Sequence, residues 1–168
     1  MIDKFRVAVV TISDKGSAGQ RQDESGPLIS QIMREWGLAD VDETIIIPDD
    51  FELIKNTLVG LCDDKKYDLI LTTGGTGLAE RDVTPEATLA MADRNVPGIA
   101  EYMRAKSFEI TPKAMLSRAV SVMRGKTLII NLPGSPKAVR ENLGFILPAL
   151  DHGLEIMTGR SGECGSKK

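Results

Sequence analysis

The stretch from Asp68 to Glu86, DLILTTGGTGLAERDVTPE, constrains this chain more than any other. Leu69, Ile70, Leu71, Thr72 and Thr73 form a short, partly β-branched run that reads as a buried strand. The run breaks into Gly74-Gly75-Thr76-Gly77 and ends at Thr84-Pro85-Glu86, an N-cap with proline at the first helical position. Strand, glycine loop and helix start together let backbone N–H groups approach an anion. Thr73 and Thr76 add hydroxyls, and Asp82 adds a carboxylate on the same loop. An anion site with a carboxylate points to a metal-bridged phosphate or a ligand with several donor groups. A tight βα turn, in which glycine only relieves sterics, also accounts for GGTG.

The flanking segments extend this unit into an α/β chain. Phe5 to Ser13 is a strand with almost no polar face, typical of a parallel sheet covered on both sides. A long polar loop follows, and Ser25-Gly26-Pro27 starts a helix whose Leu28, Ile29, Ile32, Met33 and Trp36 share one face. Trp36 before Gly37 reads as core at a helix end. A second strand occupies Asp42 to Pro48, and a helix runs from about Phe51 to Cys62, with Asp50 its preferred N-cap. Beyond the glycine loop, helices are expected over Pro85 to Arg94, Ile99 to Phe108 and, briefly, Thr111 to Leu116. Ala119 to Met123 and Thr127 to Leu132 read as a β-hairpin, which adds one antiparallel strand to a mostly parallel sheet. A helix then runs to Leu147, Pro148 interrupts it, and a last helix reaches Met157. The expectation is a three-layer αβα domain spanning 1–160, with 161–168 as a flexible tail.

Four polar loops follow strand ends, at 13–25, 48–50, 73–84 and 131–137. In a parallel sheet such ends converge on one edge, where open α/β sheets put their ligands. The first loop offers Ser13, Asp14, Ser17, Asp23 and Ser25, which suit a polar heterocycle or a ribose, or simply solvent. Asp49 stands at the end of the second strand. In the fourth loop Lys137 falls in the first turn of a helix, where acids are favoured; it is either solvated or near an anion. Asp82 is either an Asx-type cap on the Thr84 turn or a metal- or ligand-orienting group, and Arg81 is its nearest cation. The single histidine, His152, lies in the last helix, which excludes Ser-His-Asp and Cys-His chemistry.

At 168 residues the chain is long enough for a full core, and 42% apolar with 27% charged residues is ordinary for a globular protein. A net charge of −3 gives no nucleic-acid footprint. No apolar run approaches the ~18 residues of a membrane span. Met1 to Lys4 enters a strand without a signal-peptide h-region, and Cys62 and Cys164 have no CxxC partner. Free thiols in a reducing cytoplasm are expected.

TTGGTG followed by RDVTPEAT resembles the MogA/MoaB-type molybdopterin adenylyltransferases of molybdenum-cofactor biosynthesis, relatives of the gephyrin G domain. The similarity runs from about Arg6 to about Met157. It implies transfer of AMP from ATP to the terminal phosphate of molybdopterin, with Mg²⁺ required and its ligands unassigned. In this reading Ser13, Asp14, Ser17 and Asp23 belong to the ligand pocket. Gly74, Gly75, Thr76 and Gly77 cradle phosphate, and Thr73 is a substrate-binding hydroxyl beside them. Asn131, Pro133, Gly134, Ser135, Pro136 and Lys137 lie at the pterin-phosphate end, and Asp49 and Asp82 are the two acids needed for activity. The resemblance also implies a homotrimer or a hexamer, and other molybdenum-cofactor enzymes as partners. A pterin-binding domain that does not adenylylate is the competing reading; molybdate-inserting enzymes with a similar domain are much longer.

Overall fold

A computed structural model describes residues 3–160; the expected tail at 161–168, with Cys164, lies outside the described residues. Six strands form one sheet in the order β2-β1-β3-β6-β5-β4. The strands are β1 (Phe5–Ile12), β2 (Ala39–Ile47), β3 (Leu69–Thr73), β4 (Arg94–Asn95), β5 (Ser121–Arg124) and β6 (Thr127–Leu132). Only β5 runs against the rest: it pairs antiparallel with both β6 and β4, while β2, β1, β3 and β6 are parallel neighbours. The helices are α1 (Asp14–Ser17), α2 (Ser25–Trp36), α3 (Phe51–Asp63), α4 (Thr84–Met91), α5 (Pro97–Phe108) and α6 (Pro136–Thr158), with a 3₁₀ turn at Pro112–Leu116.

Strand alternation assigns the two faces. Val7 and Val9 of β1, with Leu69, Leu71 and Ile130, pack against α2, α5 and α6 through Ile29, Met33, Met103, Leu143 and Leu154. Ala8 and Val10, with Ile70 and Ile129, pack against α3 and α4 through Ile54, Leu58, Ala87 and Met91. Both faces are dry, which is why these strands lack polar alternation. β2 differs. It is an edge strand with alternating exposure, so it begins at Ala39, ahead of the isoleucine run that marks it in the sequence.

Three expectations about elements need correction. The helix after the glycine loop stops at Met91, and Arg94-Asn95 forms a short exposed edge strand on β5. Two exposed polar residues carry no apolar pattern, so their strand is fixed only by its partner. Pro148 does not end the last helix; α6 is continuous from Pro136 to Thr158. An internal proline costs about 3 kcal/mol, but Val139, Leu143 and Ile146 before it and Leu150 and Leu154 after it are buried in one stripe. Burying a side chain of that size contributes about 1.5–3 kcal/mol each, so the stripe outweighs the proline. Finally, Thr84 does not cap α4 with its side chain; its hydroxyl donates to the Gly74 carbonyl at 3.0 Å.

Asn131, expected in the ligand loop, is fully buried in the sheet. Its Nδ2 donates to Thr72 Oγ1 at 2.9 Å and Thr88 Oγ1 at 3.1 Å, and its Oδ1 accepts from the Val120 N–H at 3.2 Å. It ties β3, α4 and the entry to β5 onto β6. Asn131→Ala should therefore lower the free energy of unfolding by about 3 kcal/mol, since it strands the Val120 N–H and the buried Thr72 hydroxyl and takes a donor from Thr88. Urea denaturation checks this; a loss below about 0.5 kcal/mol would contradict the assignment.

Candidate active site

The four polar loops meet at the carboxyl ends of β1, β2, β3 and β6. They enclose a cleft of about 490 Å³ lined by residues from each, among them Ser13, Asp23, Asp49, Gly74, Asp82 and Ser135. The convergence follows from the parallel order, because adjacent parallel strands deliver their C-terminal ends to one edge.

The first loop is partly folded. Ser13 caps the single turn α1, its Oγ accepting from the Gly16 N–H at 3.0 Å. Asp23 accepts from Thr11 Oγ1 at 2.7 Å and from the Gly26 N–H at 3.0 Å, which pins the loop to β1 and to the start of α2. A Cβ on Gly26 would collide with both partners of that arrangement, Asp23 and Thr11. Ser25 reaches across to the fourth loop and donates to the Gly134 carbonyl at 2.8 Å.

Asp14 and Asp49 form a reciprocal clasp. The Asp14 N–H donates to Asp49 Oδ2 at 2.9 Å, and the Asp49 N–H donates to Asp14 Oδ1 at 3.0 Å. Arg81, from the glycine loop, forks onto Asp14 at 2.9 and 2.7 Å. The two acids are consequently driven apart. Hydrogen bonding from Arg81, then from the Asp49 backbone, holds the Asp14 carboxyl below its usual range. Burial, and then the charges of Asp14 and Asp82, push the Asp49 carboxyl above its usual range. Asp50 caps α3, accepting from the Leu53 N–H at 2.8 Å.

The glycine loop is built by close approach. Gly74 adopts φ +99° and Gly75 φ +68°, both in the left-handed region. A Cβ on Gly74 would strike the Ile12 carbonyl, and one on Gly75 would strike Thr84 Oγ1 and crowd Asp49 Oδ1. Gly75 is thus required by the fold whatever it binds. Its N–H has no acceptor among the described residues, and the residue lines the cleft. Asp82 closes the loop on itself, its Oδ2 accepting from the Ala79 N–H at 3.2 Å.

The cleft does not gather every expected residue. Ser13, Asp23, Asp49, Thr73, Gly74, Gly75, Asp82, Gly134, Ser135 and Pro136 line it. Asp14 stands behind Asp49, and Ser17 turns back to donate to the Asp14 carbonyl at 3.0 Å. Thr76 and Gly77 form the far limb of the loop, their carbonyls accepting from Arg118. Pro133 lines a separate cleft of about 220 Å³, although its carbonyl accepts from Thr73 Oγ1 at 2.6 Å. Lys137 lies in a shallow groove beside Arg140, its side chain 83% exposed and 3.9 Å from Glu141. Two residues escape a reading of the sequence. Among the described residues Arg21 is the sole cationic residue lining the cleft, and Arg118 grips the glycine loop from behind. Isolated arginines in polar segments carry no local signal; only the folded positions reveal them.

Residues 8–152 match the family model described as a probable molybdopterin binding domain. The chain belongs to that family. It is 49% identical over 141 residues to the molybdopterin adenylyltransferase of Haemophilus influenzae, covering 83% of this chain and 71% of that protein. It is 40% identical over 156 residues to the molybdopterin adenylyltransferase of Helicobacter pylori strain J99, covering 92% and 89%. The crystal structure of the molybdopterin biosynthesis enzyme MoaB from Thermus thermophilus superposes with a TM-score of 0.87 at 49% identity, over 92% of this chain and 97% of that one. The three-layer architecture with its mostly parallel sheet is the one shared by these MoaB and MogA structures.

The split between the two clasped acids of this family member has a sign that can be measured. A raised folded-state value for Asp49 means that its ionised form costs stability. The associated stabilisation is fully present below the ordinary value of 3.8 and is lost as pH rises through the raised value. Asp14 behaves oppositely, holding its contribution above 3.8 and losing it only as pH falls through the lowered value. Asp49→Asn should therefore be at least as stable as the unaltered protein near neutral pH, with the difference closing as pH approaches the ordinary carboxylate range. Thermal unfolding across that range checks it; a variant less stable near neutrality would contradict the electrostatics.

Proposed function

We propose that this protein is a molybdopterin adenylyltransferase that transfers AMP from ATP to the terminal phosphate of molybdopterin and releases pyrophosphate. One observation carries the reading. A glycine loop with a free Gly75 N–H and two carboxylates, Asp49 and Asp82, face one cleft in a chain whose relatives at 40% and 49% identity bear that name. In the step proposed, an oxygen of the molybdopterin phosphate attacks the α-phosphorus of ATP. The bond from that phosphorus to the bridging oxygen of the β-phosphate breaks, and the oxygen leaves with pyrophosphate.

Such a transfer needs no protein nucleophile and depends on positioning and electrostatic stabilisation. Here Gly74 and Gly75 let phosphate oxygens approach the backbone, and Gly134 and Ser135 offer the α6 N-terminus to the second phosphate. Ser13 supplies a hydroxyl, and Arg21 supplies a cation lining the cleft. Among the described residues no cluster of three or more His, Cys, Asp or Glu could hold a resident metal. One or two carboxylates joined to substrate phosphates is, however, the common way Mg²⁺ is bound, and Asp49 and Asp82 fit that pattern. Asp49 and Asp82 would hold Mg²⁺ together with the substrate phosphates, and the ion would supply charge neutralisation there.

The reading extends to a homotrimer or hexamer, to a cytoplasmic location and to exchange of product with other molybdenum-cofactor enzymes; family resemblance supports these. No helix of the described residues is long and apolar enough to cross a membrane. The test is incubation with molybdopterin, ATP and Mg²⁺, following pyrophosphate. Turnover is expected, and Asp82→Asn should reduce it about 100-fold, equivalent to ~2.7 kcal/mol of barrier, with little change in unfolding. Molybdopterin binding without pyrophosphate would make the protein a pterin-binding module. Normal turnover by Asp82→Asn would remove Asp82 from the chemistry.

A further inference from the structure

We propose that Arg118 is a positioning residue for Asp82, acting through the backbone of the glycine loop; this rests on the role assigned to Asp82 above. Arg118 lies between the 3₁₀ turn and β5 and is not among the residues lining the cleft. Its Nε donates to the Gly77 carbonyl at 2.7 Å and its Nη2 to the Asp82 carbonyl at 2.5 Å. Its backbone N–H donates to the Thr76 carbonyl at 2.9 Å, and Nη1 pairs with Glu86 on α4. One residue thus satisfies three carbonyls of one loop and ties that loop to the helix that follows it.

Besides Arg118, the far limb of the loop is tied to the rest of the chain by the Arg81 fork onto Asp14, which is exposed. Leu78, Ala79, Glu80 and Arg81 are exposed, and the internal bonds are the pair between Ala79 and Asp82. The Asp82 carboxylate is packed over Gly77, close enough that a Cβ there would come within 2.8 Å of Oδ2. Gly77 and Asp82 are the two residues whose carbonyls the guanidinium spans. The fork fixes their separation and so sets where the carboxylate sits relative to Asp49 and Gly75. A lysine supplies a point charge on a flexible stem and cannot span both carbonyls in a fixed plane. Arg118→Lys should therefore keep the charge yet release the loop.

The test is a double-mutant cycle on pyrophosphate release, comparing the unaltered protein, Asp82→Asn, Arg118→Lys and the double variant. Misplacing a reacting group by about 1 Å costs up to about a hundredfold, so Arg118→Lys should lower kcat between about tenfold and a hundredfold with KM for ATP within about twofold. The double variant should lose no more than Asp82→Asn alone, because an effect routed through the Asp82 carboxylate vanishes with it. A merely structural Arg118 would lower the unfolding midpoint and leave kcat of the folded protein intact. Losses that multiply across the cycle, or an unchanged kcat in Arg118→Lys, would overturn the inference while the adenylyltransferase reading stands. No turnover by the unaltered protein, or full turnover by Asp82→Asn, would overturn both. If Arg118→Lys does not fold, Glu86→Gln leaves Arg118 in place and removes one anchor; it should give a smaller loss in kcat that likewise disappears in the Asp82→Asn background, and multiplied losses or no loss would overturn the inference.

Discussion

Two acidic side chains at the ends of neighbouring strands each hold the other's backbone N–H, and the candidate site depends on that exchange. Asp14 ends up with Oδ1 shared between the Asp49 N–H and Arg81, and with Oδ2 on Arg81. Asp49 commits Oδ2 to the Asp14 N–H and leaves Oδ1 toward Gly75. Two carboxylates this near repel, so the arrangement persists only because backbone donors and one guanidinium offset the repulsion. The division of labour follows. The acid that is fully compensated has both oxygens engaged, and the partly buried one keeps Oδ1 outside the clasp.

The glycine loop completes the same construction from the other side. Its close approach to the Ile12 carbonyl brings β3's loop against the end of β1, and Thr84 on the following helix props the Gly74 carbonyl. Arg81 then extends from this loop to the clasp, and Ser25 and Thr73 reach the fourth loop through the Gly134 and Pro133 carbonyls. Each loop is therefore bonded to at least one other. Such cross-linking pre-forms a cleft, which suits chemistry that works by holding two phosphates in line.

Much of this was legible in the sequence because buried parallel strands announce themselves as unbroken apolar runs, and because strand-end loops in such a sheet share an edge. The TTGGTG and RDVTPEAT segments marked a loop whose Gly74, Gly75 and Asp82 line the cleft. The misreadings have physical causes. β4 has two exposed polar residues and exists only through its pairing with β5. Pro148 is tolerated because the apolar stripe of α6 continues on both sides of it. Thr84 sits where caps sit, but its hydroxyl is drawn to a loop carbonyl ten residues earlier. Asn131 looks like a loop ligand, yet a buried amide can knit three elements at once. Arg118 and Arg21 carry no local pattern at all, since their partners or cleft are assembled by the tertiary fold.

The central claim is that nucleotide phosphates sit on the Gly74–Gly75 backbone between Asp49 and Asp82. A crystal structure with ATP and Mg²⁺ soaked into the protein tests it most directly. A phosphate oxygen is expected within about 3.2 Å of the Gly75 nitrogen, with Asp49 and Asp82 beside the phosphates. Nucleotide phosphates found instead at Gly134–Ser135, with the glycine loop empty, would contradict it.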